Sequence, residues 1–541
     1  MASSDANIAR QSLNATAILS FGNIISNAIL AITSVLVARL LTPDGYGVYS
    51  LVLAMPLLLQ LLTSFGVNSA ITRLSANYHS RGELQLAQRI TKNGIIFLSV
   101  SGLVFTGLTV LLAGSLSSIF LHRPAVTEFE QIASSLILGQ TILGAVSAAF
   151  IGWGDAFQVA IWTIVQAILK LVISVALILL GYGVLGGIWG YSLSLLIAGI
   201  SGTGALYALR FRKSSANSQV GIVRTGSALN DFISDVKQMI RYGWPVYLGN
   251  VILTFSQQPI FVLILSAIAP NTVIGYYAAA NVITTIVVLI GTSEATALFP
   301  AFSRLQVSNS DTRTAFRYAV KYSSYAIMPV VVFLIAASSD IIRLLYGVAY
   351  LPASYILQLL TLSFLPYAFG QVVLPSYFNG VGKTRLTLYM NLVETLATLV
   401  AAFVLVFLLK LGVLGVLYTI ILSNILPTAF GLYWAKMYLG AVIDVANLFR
   451  TYLVSVACYF VLYALTFILP TSSSAVLVLV LILDSAIFLG VYLTLAPLAR
   501  MVEAEDITRL RISSDSLGII RKLLHPILDY ESYLIRLVLQ E

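Results

Sequence analysis

The stretch FQVAIWTIVQAILKLVISVALILL, Phe157 to Leu180, contains one charged residue, Lys170, and no proline. A run of about 20 apolar residues is long enough to cross roughly 30 Å of hydrocarbon as an α-helix. Its residues do not alternate between polar and apolar, as those of a membrane β-strand would. Only a helix or a closed barrel satisfies its backbone in lipid, so this stretch reads as a transmembrane helix. Reading outward in both directions gives fourteen such spans, near residues 13–38, 46–70, 94–120, 131–152, 157–180, 184–209, 243–268, 273–299, 322–345, 353–378, 387–409, 412–434, 449–469 and 473–498. The composition agrees: 59% of residues are hydrophobic, 9% are charged, and the mean hydropathy is +0.95. A soluble domain is about 25% charged. The expected fold class is an all-α polytopic membrane protein.

The first dozen residues are polar and show no cleavage-site pattern, so span one reads as a retained helix. The one cysteine, Cys458, falls inside span thirteen. A single thiol makes no internal disulfide, no metal-ligand set is evident, and no cofactor is expected.

The net charge of +9 could point to nucleic acid, but its placement argues against that partner. With fourteen spans, Arg39, Arg123, Arg343 and Lys410 lie on one side and Lys170 lies within a span. All the other Lys and Arg residues fall on the side of the termini. Under the positive-inside rule that side is cytoplasmic, and the protein is expected in the cell (plasma) membrane. The basic excess then serves topology and contact with anionic membrane lipids.

Two halves repeat with an offset of about 228 residues. Gly152-Trp153-Gly154 matches Gly380-Val381-Gly382, and Gly183-Val184-Leu185-Gly186 matches Gly412-Val413-Leu414-Gly415. Pro43 answers Pro270, and Arg73 answers Arg304. The expected organisation is a cytoplasmic N-terminus (1–12), a six-helix bundle (13–209), a cytoplasmic connector (210–242), a second six-helix bundle (243–434), two extra helices (435–498) and a cytoplasmic amphipathic tail (499–541). An even number of helices per repeat makes the repeat parallel, and such transporters carry substrate between their halves. Within the connector, residues 231–240 are amphipathic at helical spacing, which predicts a helix on the membrane surface. The tail has similar character, with Leu510, Leu517, Ile520, Leu524 and Ile527 set among arginines and Lys522. It suits either the membrane surface or the inner mouth of the bundles.

Several strings carry a family resemblance. They are Ala38-Arg39-Leu40-Leu41-Thr42-Pro43-Asp44-Gly45-Tyr46-Gly47, the Arg81-Gly82-Glu83 turn, Arg241-Tyr242-Gly243-Trp244-Pro245, Gly275-Tyr276-Tyr277 and Leu298-Phe299-Pro300-Ala301-Phe302-Ser303-Arg304. Leu345-Tyr346-Gly347 and Gly380-Val381-Gly382-Lys383-Thr384-Arg385 complete the set. In order over residues 20–435, they resemble the polysaccharide transporter family, which includes O-antigen-type oligosaccharide flippases. This family belongs to the multidrug/oligosaccharidyl-lipid/polysaccharide exporter superfamily. The resemblance implies two six-helix bundles that open alternately to either side. It also implies a cargo of polyprenyl phosphate or pyrophosphate bearing a glycan.

Polar residues inside spans are costly and generally face a cavity or another helix. Span one places Ser20, Asn23 and Asn27 on one face. Span seven places Tyr247, Asn250, Thr254 and Gln257 on the corresponding face. Span five has Thr163, Gln166 and Lys170, and its partner span eleven has Asn391, Glu394, Thr395 and Thr398. The same helices bear polar stripes in both halves, which a cavity between bundles predicts and scattered packing contacts do not. Lys170, near mid-membrane, suits a lipid pyrophosphate or acidic sugar, or an ion pair with Glu294 or Glu394. Glu294 and Glu394 suit uptake of a proton or sodium ion, or a gate. Asp484, mid-span in the extra helix pair, has no evident partner in the sequence and suits either a lipid groove or a hydrogen bond.

No catalytic residues are expected. The outer loops are short and nearly free of ionisable groups. Gly380-Val381-Gly382-Lys383-Thr384 lacks the first glycine of a phosphate-binding loop and joins two membrane helices, so ATP is not an expected partner. The function expected from the sequence is flipping of lipid-linked oligosaccharide, driven by an ion gradient. The alternative is a multidrug or toxic-compound cation antiporter of the same fold.

Overall fold

The computed structural model describes residues 2–212, 228–307, 311–466, 474–514 and 519–539. The connector residues 213–227, residues 467–473 between the two extra spans, and Leu517 of the tail lie outside them. Among the described residues there is no strand.

The helices are α1 (Ala2–Leu59), α2 (Leu61–Ser64), α3 (Val67–Ser80), α4 (Leu84–Ser115), α5 (Thr127–Ala133), α6 (Ser135–Gly152), α7 (Ala156–Leu177) and α8 (Gly183–Leu206). They continue as α9 (Ala228–Thr254), α10 (Gln258–Ile268), α11 (Asn271–Val307), α12 (Thr312–Ala336), α13 (Ser338–Tyr346), α14 (Ala353–Leu362) and α15 (Val373–Gly380). The last are α16 (Thr384–Ala401), α17 (Gly412–Leu439), α18 (Val445–Thr466), α19 (Ser474–Leu498), α20 (Ala504–Ser514) and α21 (Ile519–Leu539).

Among the described residues, twelve stretches are long and apolar enough to cross a membrane. Two of them, Ala17–Ser64 and Ala156–Phe211, have 48 and 56 residues, enough for two crossings each. Each is broken at mid-length. Thr42 takes φ 64 and ψ 168 just before Pro43, and Gly181 and Gly183 take φ of 94 and 53. Dividing each stretch at its break yields the fourteen spans of the sequence.

The chain forms two compact units, residues 1–282 with 410–416, and residues 283–409 with 417–541. In the first unit, α7 packs on α8 and α1, and α6 packs on α8 and α4. Small residues allow these close approaches, as is usual where lipid offers no hydrophobic drive between helices. A Cβ on Gly190 would lie 2.3 Å from Ser174 Oγ, and one on Gly22 would lie 2.5 Å from Ala160 Cβ. Ile71, Leu98, Phe150, Trp153 and Met239 form an apolar core.

Met239 belongs to the amphipathic segment 231–240, which the sequence reading places on the membrane surface. It is the start of α9 and packs on α3 and α4. Within it Asp235 is buried, and it accepts hydrogen bonds from Arg89 at 3.0 Å and Asn93 at 2.7 Å. Partners on α4 therefore satisfy the buried carboxylate of the segment.

In the second unit, Met328, Cys458, Phe488, Tyr492, Leu528 and Ile535 form one core, and Phe302, Phe316, Tyr377 and Phe378 form another. One face of α12 holds the C-terminal part of the chain at successive turns. Arg317 pairs with Asp444 at 2.5 Å, Lys321 pairs with Asp506 at 2.5 Å, and the Tyr325 hydroxyl donates to Glu531. The tail is thus docked on α12 and α19 of this unit.

The repeat recurs in local geometry. Gly154 (φ 76) and Gly382 (φ 78) each close a turn in which the next amide donates 2.8 Å back to the fifth preceding carbonyl, Asp155 to Phe150 and Lys383 to Phe378. A positive φ suits glycine, which has no Cβ to clash. Wider π-type turns at Ile178–Tyr182 and Ala402–Leu408 precede Gly183 and Gly412.

Candidate functional site

In the first unit, α7 buries Gln166 and Lys170 one turn apart on the same face. Gln166 Nε2 donates to Ser194 Oγ on α8 at 3.2 Å, and Ser194 Oγ donates to the Tyr191 carbonyl at 2.7 Å. The Lys170 ammonium lies over the Tyr191 ring, 3.6 Å from its centroid. Among the described residues Lys170 forms no ion pair. Tyr49, which interacts electrostatically with Tyr191, extends this aromatic wall, and Tyr46 stacks on Tyr49 at 5.9 Å. The local sequence suggested a cation in a polar stripe. The aromatic wall comes from the start of span two and from α8, distant in sequence, and was not legible.

Asn23 and Asn27 are exposed on α1, and among the described residues their side-chain amides form no hydrogen bond. Asn250 is exposed on α9, and Thr254 Oγ1 donates to its carbonyl at 2.9 Å. Gln257 departs from the expected continuous stripe. The helix ends at Thr254, and Gln257 is extended (φ −100, ψ 162) and caps α10. Pro259, at the start of α10, cannot continue a helix because it lacks an N–H and its ring meets the preceding turn. Span seven is therefore discontinuous. Tight turns satisfy the break, including Gln257 N to the Thr254 carbonyl at 3.1 Å. Broken spans of this kind present helix ends to substrates and ions in transporters.

In the second unit, Ser323 Oγ donates to Glu294 at 2.8 Å. Thr398 Oγ1 donates to the Glu394 carbonyl at 2.9 Å, and Asn391 lies half-buried a turn away on α16. Tyr367, which sequence reading missed, stands beside both carboxyl helices. Its ring edge lies against Gly291, one turn before Glu294, and it interacts electrostatically with Glu394. Tyr367 sits in a 3-10 turn, Leu365–Phe369, that interrupts span ten between α14 and α15. Pro366 and Gly370 are the sequence signals for that break. Nearby, Gln371 Nε2 donates to Asn424 at 2.6 Å.

Two further carboxyls are buried. Glu130 on α5 is fully buried, and among the described residues neither of its carboxyl oxygens has a hydrogen-bond partner. Asp484 on α19 is buried with Oδ1 unpartnered, and it interacts electrostatically with Asp340. Buried polar groups are nearly always paired, so such exceptions are informative. Among the described residues no group of His, Cys, Asp and Glu could hold a metal ion.

The second unit also holds an apolar cavity of about 590 Å³, lined by Leu365, Phe369, Ile421, Ile425, Leu432 and Tyr452. Tyr452 belongs to α18, the first of the two extra spans. Its hydroxyl donates to the Leu365 carbonyl at 2.6 Å.

A multi-pass helical chain with broken spans and buried charges on them is a membrane transporter, and comparison with solved structures places its fold. The lipid II flippase MurJ in an inward closed conformation superposes with a TM-score of 0.68 at 16% identity, covering 88% of this chain and 98% of that one. An inward-facing multidrug resistance transporter of the MATE family gives a TM-score of 0.64 at 18% identity, covering 76% and 94%. A transporter of the same MOP superfamily from Pyrococcus furiosus gives 0.51 at 19% identity, covering 78% and 96%. The chain belongs to the polysaccharide biosynthesis protein family, which matches residues 12–306. The lipid II flippase MurJ family matches residues 229–486. No curated protein matches by sequence.

Proposed function

We propose that this protein is a flippase that moves a lipid-linked oligosaccharide, a polyprenyl phosphate or pyrophosphate glycan, across the cell membrane by alternating access. The observation that carries this reading is the family assignment. Residues 12–306 match polysaccharide biosynthesis proteins, and residues 229–486 match a lipid II flippase family. Flippases of this kind are transporters, not enzymes, and ATP has no part in this reading.

The named residues support distinct roles. Lys170, held on an aromatic wall, supplies a positive charge for the phosphate linkage. Asn23, Asn27, Gln166, Asn250, Thr254, Gln257, Asn391 and Thr398 supply hydrogen bonds to sugar hydroxyls. Glu294 and Glu394 couple the cycle to a proton or sodium gradient, or gate it. The apolar cavity beside Tyr452 accepts part of the polyprenyl chain while the rest stays in lipid. The basic residues around the termini orient both ends to the cytoplasm.

A second reading, cation antiport of small drugs, draws on the likeness to multidrug transporters. Reconstitution separates the two. In liposomes with an imposed ion gradient, polyprenyl-pyrophosphate oligosaccharide is expected to cross, and a cationic dye is expected to be left behind. Dye efflux without glycan movement would overturn the flippase reading.

A further inference from the structure

The tail helices α20 and α21 enclose a cavity of about 270 Å³ that no part of the transport reading uses. Its polar lining is Arg511 and Thr508 from α20 with Ser532 and Arg536 from α21, and Ala504 and Ile535 form an apolar base. Among the described residues no carboxylate lines it. Arg511 is oriented by a salt bridge to Asp529. Arg536 has no ion pair or hydrogen bond among the described residues. The two hydroxyls donate to carbonyls of their own helices, Thr508 to Ala504 at 3.0 Å and Ser532 to Leu528 at 2.7 Å. Either can turn its proton to an incoming oxygen instead. Two guanidiniums and two hydroxyls around one small cavity match the oxygens of a phosphate group.

The position of the cavity selects the source of that phosphate. Tyr530 of α21 shares a 2.9 Å hydrogen bond with Thr494, one turn from the end of the last span, and Glu531 bonds to Tyr325 on α12. By the span limits expected from the sequence, 322–345 and 473–498, both contacts lie near span ends, which puts the helix at headgroup depth. On the same helix Tyr533 and Leu537 are 62% and 59% exposed, an aromatic and apolar face of the kind that enters a membrane interface. The Lys321–Asp506 pair ties the base of α20 to the bundle, so the cavity is preorganised.

We infer that the cavity between α20 and α21 is a binding site for the phosphodiester headgroup of an anionic membrane phospholipid, taken from the leaflet beside the tail. A bound headgroup bridges Arg511 and Arg536 and so fixes the two tail helices together on α12.

Hydrogen exchange of the full chain in nanodiscs tests this without any transport assay, so its outcome is independent of the flippase reading. Phosphatidylglycerol added to phosphatidylcholine is expected to slow exchange across residues 504–539. Arg536→Gln is expected to need roughly tenfold more anionic lipid for the same protection, and R511Q/R536Q is expected to abolish the response. Arg536→Gln breaks no hydrogen bond or ion pair among the described residues, so it guards against simple unfolding of the tail. Equal protection in wild type and Arg536→Gln, or no response to phosphatidylglycerol, would overturn the site. Protection by inorganic phosphate alone, in detergent at matched concentration, would overturn the lipid as its source.

Discussion

The Lys170 ammonium lies 3.6 Å from the centre of the Tyr191 ring and is buried between α7 and α8. A desolvated cation–π contact is worth about 2 kcal/mol or more, well short of the cost of burying an unpaired charge. The lysine is thus held in place at a net cost to stability. Lys170→Met is expected to keep or raise the melting temperature while lowering glycan flipping at least tenfold. Lys170→Arg, which keeps the charge, is expected to retain part of the activity. Thermal melting and liposome flipping, measured on the same preparations, check the split.

Two backbone contacts in the first unit leave no room for side chains. A Cβ on Gly47 would lie 1.8 Å from the Asn271 carbonyl oxygen, and one on Gly275 would lie 2.0 Å from that of Pro43. Gly66 and Gly243 meet in the same way, each with 2.2 Å between an added Cβ and the other's carbonyl oxygen. Valine at position 275 is expected to force the starts of spans two and eight apart, at an overpacking cost of about 1–3 kcal/mol. Faster hydrogen exchange at residues 43–49 and 270–276, with slower flipping, is the expected result. Unchanged exchange there would refute the contact.

Lys321 and Asp506 form a buried ion pair, with side chains 12% and 3% exposed. The Tyr322 hydroxyl also donates to Asp506, at 3.0 Å. Removing one member strands the other, at a cost of about 3–5 kcal/mol, whereas an apolar pair of similar volume is often neutral. Lys321→Met and Asp506→Leu are each expected to loosen the tail. The double variant is expected to recover much of the loss, a coupling that a double-mutant cycle of melting temperatures would measure.

Glu531 provides a pH dependence. Burial raises its carboxyl from 4.5 to about 7, against a smaller lowering effect from the Tyr325 hydrogen bond. The folded tail therefore binds this proton more tightly than the undocked one. The contribution to docking is fully present below about pH 4.5 and is lost as pH rises through about 7. Limited proteolysis of residues 519–539 is expected to quicken across that range. Glu531→Gln is expected to flatten the profile. An unchanged profile in Glu531→Gln would remove this residue as the cause.

The sequence by itself determined the membrane class, the fourteen crossings and the repeated turns. These are local properties. Hydrocarbon forces every spanning backbone into helices, apolar length counts the spans, and a glycine at positive φ marks its own turn. Even the break in span seven had a local cause in Pro259. Only the tertiary structure decided which partner each amphipathic or charged element meets. Residues 231–240 show the same helical periodicity whether they lie on lipid or on α4. It is Arg89 and Asn93, more than a hundred residues earlier, that draw Asp235 into the protein. In the same way the periodicity of the tail announced an apolar face, and α12 settled what covers it, through Lys321 and Tyr325. Lys170 was visible as a charge out of place, but its aromatic seat joins α7, α8 and the start of span two. Spacing along one helix fixes a direction. The partner that lies in that direction is set by packing between segments far apart in the chain.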